Sequence, residues 1–468
     1  MHEILDRDAH EQCTAIASGQ VSAEELMRAT LSQIDAVNGR VNAIVELRDA
    51  KPLLAEARAM DAGPNKGALH GLPIAVKNLE DVVGMPTSQG SPVFAGHVAG
   101  ADGLYVSRMR AAGAIFIGKT NTPEFGLGSQ TYNPVHGETC NPYDVSRTCG
   151  GSSGGAAVAL ATRMVALADG SDAMGSLRNP AGWNNVYGMR PSWGRVPRSG
   201  DGDVYLHQLS TNGPMARSPR DLALLLDVLA GPDPRQPLAM AYDAMLPVKA
   251  TAQGKRIGWL ADWGGSLPFE NGILDLCRDG LAVMEKLGCN VEPITPPFSR
   301  DALWEAWTTL RSWSNATSLG ELYDDPKTRD QLKPDAIWEI ERGRSLSAIE
   351  VHAASVIRSQ WFVATVRMFE SFDAVAMPTA QVWPFPLNET WPREIAGQGM
   401  DTYHRWMECM IPASLIGLPV VAVPVGFGAS GLPMGIQLIG PYKGDRGVLG
   451  LAQSYHDATD WPGQCPPV

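Results

Sequence analysis

The sequence predicts an α/β fold in which a core β-sheet carries helices on both faces. Between residues 69 and 200, short apolar segments alternate with helical patterns and glycine-rich turns, as in chains whose strands are joined by helices. Hydrophobic residues make up 44% of the 468 residues and charged residues 19%, so the chain can bury a large core. Much of the second half has helical periodicity, which indicates a helical insertion into this fold.

The first predicted element is an amphipathic helix that begins after Ser22. Ser22 and Glu25 have the spacing of a capping box, in which each residue satisfies the backbone of the other. Its apolar side consists of Leu26, Met27, Leu31, Ile34 and Val37. Apolar runs then predict a strand over 72–76, a helix over 106–112 and a strand over 114–118.

The second half begins with a predicted helix over 219–229, which a turn-rich connector follows. Residues 270–370 are mostly helical in pattern, including 271–287 and 348–372. Strand character returns near 374–378. We interpret this region as a helical insertion whose ends return to one sheet.

The stretch 410–440 carries no charge and is long enough to cross a bilayer. Four prolines and six glycines would break any helix there. We therefore predict two buried strands, over 420–423 and 434–439, and no membrane contact.

Composition excludes several classes of function. The net charge of −12 argues against a surface for nucleic acids, which needs clustered lysines and arginines. The seven cysteines contain no Cys-x-x-Cys pair, and the nine histidines form no cluster with metal-ligand spacing. The N-terminal segment lacks the basic start and apolar core of a signal peptide. We therefore expect a cytoplasmic protein with reduced thiols, no metal and no cofactor.

Two serines in glycine-rich turns are the strongest sign of function. Ser152 lies in the run 149–155, Cys-Gly-Gly-Ser-Ser-Gly-Gly, and Ser176 follows it by 24 residues in the segment 170–178. Upstream, Lys77 ends a short apolar segment. Glycine and serine runs alone are typical of flexible linkers, so the argument depends on the combination.

This combination resembles the Ser-cisSer-Lys triad of the amidase signature family. The resemblance extends to the segments 118–125, 141–144 and 435–440 and covers most of the chain. It implies an amidase signature fold, with a large mixed β-sheet core covered by helices on both faces. It also implies an enzyme that hydrolyses amide bonds.

Length alone would allow two or three domains. The resemblance implies a single amidase domain over 1–468. Within it we expect a signature core at about 69–230, a mostly helical insertion at about 270–372 and a C-terminal return to the core sheet at about 373–468.

The resemblance also assigns roles to the three motif residues. Ser176 is the expected nucleophile, Ser152 relays its proton, and Lys77 is the base. Only a neutral lysine accepts a proton, so burial must lower the pKa of Lys77 from about 10.4. In the family, the peptide bond before the residue matching Ser152 is cis.

Backbone N–H groups of the second serine loop are expected to stabilise the oxyanion of the tetrahedral intermediate. The residues are Ala173, Met174, Gly175 and Ser176. Supporting positions are Gly151, Ser153, Asp172 and Arg178. Met174 departs from the family, where glycine is usual. We place its side chain in the substrate pocket, with packing behind the loop as the alternative.

Other interpretations of these residues remain at this point. Lys77 alone would be a surface lysine at a strand end. Ser153 matches the spacing of a nucleophile elbow, which needs a buried strand before it, whereas 143–148 is polar and turn-like. A phosphate-binding loop is disfavoured because the run lacks the Gly-Lys-Ser/Thr ending.

The substrate pocket is predicted from tryptophans in the second half. Trp304, Trp307 and Trp383 are candidates, although core packing is the ordinary role of such residues. An apolar pocket favours small hydrophobic or aryl amides, with esters or carbamates as side substrates. The alternatives are the glutamine-hydrolysing A subunit of a tRNA-dependent amidotransferase and a non-catalytic binding protein. We expect a small-molecule substrate, no nucleic-acid partner and a homodimer.

Overall fold

The computed structural model describes residues 3–198, 202–206 and 208–468. In these ranges the strands are β1 Ile44–Val45, β2 Pro73–Lys77, β3 Ile115–Thr120, β4 Tyr132–Asn133, β5 Gly137–Glu138, β6 Cys140–Asn141, β7 Asp144–Thr148, β8 Leu167–Asp172, β9 Tyr187–Arg190, β10 Thr211–Ala216, β11 Arg256–Trp259, β12 Asn290–Pro293, β13 Ala374–Pro378, β14 Glu394–Ile395, β15 Gln398–Gly399, β16 Val420–Phe427 and β17 Pro433–Ile439.

The α-helices of the same ranges are α1 Glu3–Asp6, α2 Ala9–Ala17, α3 Ala23–Val41, α4 Ala50–Ala62, α5 Leu104–Ala111, α6 Gly154–Ala161, α7 Arg178–Trp183, α8 Pro219–Leu229, α9 Ile273–Lys286, α10 Arg300–Ser318, α11 Gly320–Asp324, α12 Pro326–Arg329, α13 Pro334–Ser345, α14 Ala348–Met368, α15 Ile411–Leu415 and α16 Asp445–Thr459. Short 3-10 helices cover Pro92–Phe94, Glu124–Gly126, Arg405–Met410 and Trp461–Gly463.

The centre of the molecule is an eight-stranded mixed sheet in the order β12-β11-β13-β17-β16-β9-β10-β8. The first three strands run parallel, and each later neighbour is antiparallel. Helices α7, α9 and α16 pack against the central strands β16 and β17. The predicted α/β fold with a large mixed sheet is therefore confirmed.

Strands β1, β2 and β3 form a second, three-stranded sheet in the order β1-β3-β2. The prediction of one core sheet for this region is therefore wrong. Strand β2 carries Lys77 at its end and pairs in parallel with β3. The Lys77 N–H donates to the Asp169 side chain at 3.1 Å. β2 therefore contacts β8 of the large sheet through this bond but pairs with β3.

Most local predictions are confirmed. Ser22 caps α3, since its Oγ accepts from the Glu25 N–H at 3.1 Å and the Glu25 carboxylate accepts from the Ser22 N–H at 2.8 Å. Strands β16 and β17 form the antiparallel pair predicted in the uncharged stretch. No helix in the described ranges is both long and apolar enough to span a bilayer.

The region predicted as a helical insertion contains one strand that sequence analysis missed. β12 lies between α9 and α10 and pairs in parallel with β11 at the edge of the large sheet. Its residues Asn290–Pro293 include two polar positions and a proline, so the run has little apolar periodicity. The helix predicted over 348–372 ends earlier, at Met368.

Candidate active site

Lys77 is fully buried, and its Nζ lies within hydrogen-bond distance of three serine hydroxyls. The distances from Nζ are 2.8 Å to Ser152 Oγ, 2.9 Å to Ser153 Oγ and 3.0 Å to Ser171 Oγ. Burial lowers the pKa of Lys77 to about 7, although the negative charge of Asp169 opposes this shift. The alternative of a surface lysine is therefore wrong, because the Lys77 side chain is fully buried.

The first serine turn joins β7 to α6. Gly150 has a φ of 78°, and the peptide bond between Gly151 and Ser152 is cis. A Cβ atom at Gly155 would overlap the backbone of Asn121, so only glycine fits there. The turn therefore holds Ser152 against Lys77 through close backbone packing.

The second serine turn lies between β8 and α7. Ser176 stands in it and is 7% exposed. The Ser153 N–H donates to the Ser176 carbonyl oxygen at 3.2 Å, which connects the two turns directly. Ala173 and Ser176 border the same cavity as Ser152.

Asp172 fixes the shape of this second turn. Its Oδ1 accepts from the Gly175 N–H at 2.8 Å, and its Oδ2 accepts from the Leu177 N–H at 3.1 Å. Gly175 itself has a φ of 91°, which favours glycine. The Gly175 N–H, which the sequence analysis expects in the oxyanion hole, is thus directed at Asp172.

Two buried arginines neutralise Asp172. Arg178 donates from Nε at 2.9 Å and from Nη2 at 3.0 Å, and Arg190 donates from Nη1 at 3.1 Å. Burial alone would raise the pKa of Asp172, but Arg178 and Arg190 hold it well below its usual range. Arg178 also donates to Ser414 Oγ at 2.6 Å and so connects the turn to α15, which lies before β16 in the chain.

The serines open onto a cavity of about 840 Å³. Ser152, Ser171, Ala173 and Ser176 border it, and its aromatic members are Phe125, Trp193 and Trp307. This volume accommodates a small organic substrate.

Only one of the four predicted pocket residues borders this cavity, namely Trp307. Trp304 borders a separate cavity of about 10 Å³. Trp383 donates from Nε1 to the Asn271 carbonyl oxygen at 3.1 Å and packs against Gly428. Met174 is 3% exposed and belongs to the apolar core, which corrects its expected place in the pocket.

Sequence analysis missed a buried polar group beside Lys77. Asp169 Oδ2 accepts from the Tyr105 hydroxyl at 2.7 Å, and burial raises the pKa of Asp169. Burial also raises the pKa of Glu80, which borders the cavity, to about 7. Asp169 and Ser171 alternate along β8, and this spacing of two is the sequence signal that places both on one side of the strand.

One group of side chains has the composition of a metal site. Asp8, His10 and Asp221 bring ligand atoms within 4.8 Å of one another. Asp221, however, accepts from the backbone N–H of Ala9 at 2.6 Å and from His10 Nδ1 at 2.8 Å. These bonds give the group a structural role at the start of α2.

Comparisons with known proteins show the family of the chain. A sequence model of the Amidase family matches residues 25–449. The chain is 31% identical over 472 residues to an acylamidase of Rhodococcus erythropolis, covering 98% of this chain and 96% of that protein. It is 32% identical over 484 residues to the A subunit of the glutamyl-tRNA(Gln) amidotransferase of Alcanivorax borkumensis, covering 96% of each.

A solved structure supports the same conclusion. A bacterial aryl acylamidase of the amidase signature family matches the chain with a TM-score of 0.91 and 27% identity over 98% of both chains. The family model and the acylamidase relative each span most of the chain. The chain therefore belongs to the amidase signature family.

Proposed function

We propose that the chain hydrolyses small hydrophobic or aryl amides through an acyl intermediate on Ser176. The observation that carries this proposal is the contact of buried Lys77 with Ser152, beside a cavity that Ser176 borders. Phe125 and Trp193 give the cavity aromatic walls, which favour an aryl or apolar group.

In the proposed mechanism, neutral Lys77 takes a proton from Ser152 while Ser152 takes the proton of Ser176. The Ser176 oxygen then bonds to the carbonyl carbon, and N–H groups of the 173–176 turn stabilise the oxyanion. The C–N bond breaks as the proton returns through Ser152 to the leaving nitrogen. Water attacks the acyl ester in the same way and releases the acid.

Esters and carbamates fit the same scheme, because acylation of Ser176 requires only a carbonyl within reach. The alternative is glutamine hydrolysis within an amidotransferase, which the similarity to the amidotransferase relative supports. A cytoplasmic location, a homodimer and a single domain stay predictions.

Ser176→Ala tests the nucleophile. Wild-type protein treated with a fluorophosphonate is expected to carry one adduct on the Ser176 peptide, and the variant to lose both adduct and turnover. Ser107→Ala, on the exposed side of α5, serves as the control and should keep both. An adduct on Ser153 would support the elbow interpretation instead.

Substrate class is tested with the purified single chain. We expect measurable hydrolysis of an anilide and little release of ammonia from glutamine. Faster hydrolysis of glutamine than of any anilide, aliphatic amide or carbamate would support the amidotransferase alternative.

A further inference from the structure

Helix α10 presents a regular row of side chains to the cavity. Trp307, Arg311 and Asn315 all border it and follow one another at intervals of four residues. Residues at this spacing lie on one face of a helix. A fully buried aromatic ring and two polar side chains therefore follow one another along the helix face that borders the cavity.

Hydrogen bonds to Glu339 and Tyr403 fix the guanidinium of Arg311. Nε donates to Glu339 Oε1 at 2.7 Å, and Nη2 donates to the Tyr403 hydroxyl at 2.8 Å. Tyr403 donates in turn to Glu339 Oε1 at 2.7 Å. Glu339 is fully buried, whereas 9% of the Arg311 side chain is exposed. The network thus orients Arg311 so that Nη1 remains to donate toward the cavity.

Asn315 adds a second polar group one helical turn further along. Within the described residues, its Nδ2 has no hydrogen-bond partner, although the side chain is partly buried. A buried amide N–H without a hydrogen-bond partner costs free energy. A hydrogen bond from Asn315 Nδ2 to an acceptor on the ligand, formed after rotation of the terminal amide, would recover this free energy. Both polar members of the row are therefore suited to a hydrogen-bond acceptor.

The charges around the cavity favour a neutral acceptor over an anion. Glu339 compensates Arg311, and Arg311 keeps the pKa of Glu339 low despite the opposing effect of burial. Among the described residues, Asp203 and Glu321 also border the cavity, together with Glu80, whose pKa burial raises to about 7, and one further cation, Arg198. These acidic groups would repel a carboxylate on the substrate, whereas they would not repel a neutral carbonyl oxygen.

We propose that Arg311 and Asn315 select substrates whose aryl group carries a neutral hydrogen-bond acceptor such as a carbonyl oxygen. This inference rests on the proposed amide hydrolysis. It makes Arg311 and Asn315 specificity-determining residues that take no part in proton transfer.

The test compares aryl amides that carry a para-acetyl, para-isopropyl or para-carboxylate substituent. In one series the substituent is on the ring of the amine part, and in a second series it is on the ring of the acyl part. We expect Arg311→Lys to lower the acetyl-to-isopropyl ratio of kcat/KM about tenfold or more in one series. Asn315→Ala should lower it about threefold. The electronic effect of each substituent is common to all variants, so a change in the ratio reports contact with the protein.

Arg342→Lys is the matched control, because Arg342 donates to the Thr308 carbonyl oxygen and lies outside the residues that border the cavity. Its ratio should equal that of the wild type. Unchanged ratios for Arg311→Lys and Asn315→Ala in both series would overturn the inference. A wild-type preference for the carboxylate substrates would overturn it as well.

Two measurements keep the test decisive. Fluorophosphonate labelling of Ser176 reports the proposed function separately, so labelled protein with unchanged ratios contradicts the inference alone. If Arg311→Lys does not fold, inhibition of the wild type decides. Acetophenone is expected to inhibit more strongly than isopropylbenzene or benzoate, and equal or reversed order counts against the proposal.

Discussion

At the scale of single residues, Lys77 shows how burial lowers the pKa of a lysine. Its Nζ is surrounded by three hydroxyls, and in the described part of the chain no carboxylate forms an ion pair with it. Hydroxyl groups hydrogen-bond either protonation state, so they do not restore the charge that desolvation disfavours. An ion pair in their place would keep the lysine protonated and unreactive.

The first prediction concerns the pH dependence of catalysis. Burial lowers the pKa of Lys77 to about 7, and the group accepts a proton only above that value. The kcat/KM of the wild type should therefore rise about tenfold per unit below pH 7 and level off above it. Initial rates on an anilide between pH 5 and 9 measure this rise, which is the acid limb of the pH profile.

Substitution of the lysine provides the control for that profile. Lys77→Ala should lose most activity and Lys77→Arg should not restore it, because a guanidinium stays protonated. Circular dichroism should show both variants folded. A folded, fully active Lys77→Ala would eliminate Lys77 as the base.

Met174 yields a second prediction at the residue scale. Its side chain is buried in the core, whereas its neighbour Ala173 borders the cavity. Met174→Ala should lower the free energy of unfolding by about 2–5 kcal/mol through the cavity it leaves. Urea unfolding measures this change. The ratio of kcat/KM between small and bulky substrates should stay constant, and a shifted ratio without lost stability would return Met174 to the pocket.

At the scale of elements, the turn after β8 depends on one carboxylate. Asp172 accepts from two backbone N–H groups of the turn and pairs with Arg178 and Arg190, all with no exposed side-chain surface. The turn that carries Ser176 is thus held by a charge network as well as by apolar packing.

Asp172→Asn should therefore destabilise the protein by about 3–5 kcal/mol, because two buried arginines lose their anion. It should also lower kcat, since the turn loses its shape. Asp144→Asn is the control, because the Asp144 pair with Arg147 is exposed and should contribute less than about 1 kcal/mol. Equal free energies of unfolding for the two variants would contradict this role of Asp172.

At the scale of the whole molecule, the site lies where two sheets meet. Lys77 ends β2 of the small sheet, and the serine turn follows β8 at the edge of the large sheet. Asp169 joins them, since one oxygen accepts from the Lys77 N–H and the other from Tyr105. Its negative charge also favours protonated Lys77.

Asp169→Asn should accordingly move the acid limb of kcat/KM to lower pH, because removal of the negative charge lowers the pKa of Lys77 further. Tyr105→Phe is the comparison, since it removes one hydrogen bond and keeps the carboxylate. That variant should not move the limb to lower pH. If Asp169→Asn and the wild type have identical pH profiles of kcat/KM, Asp169 has a structural role only.

The sequence by itself determined the fold class, most element positions and the motifs that contain Lys77, Ser152 and Ser176, because these depend on local periodicity and on short motifs. Tertiary structure alone decided that β2 belongs to a second sheet, since strand pairing between distant segments leaves no local pattern. It also directed the Gly175 N–H to Asp172 and separated Trp307, at the cavity, from Trp304 and Trp383. A side chain's direction depends on the packing of the elements around it, and no single segment of the chain contains that information.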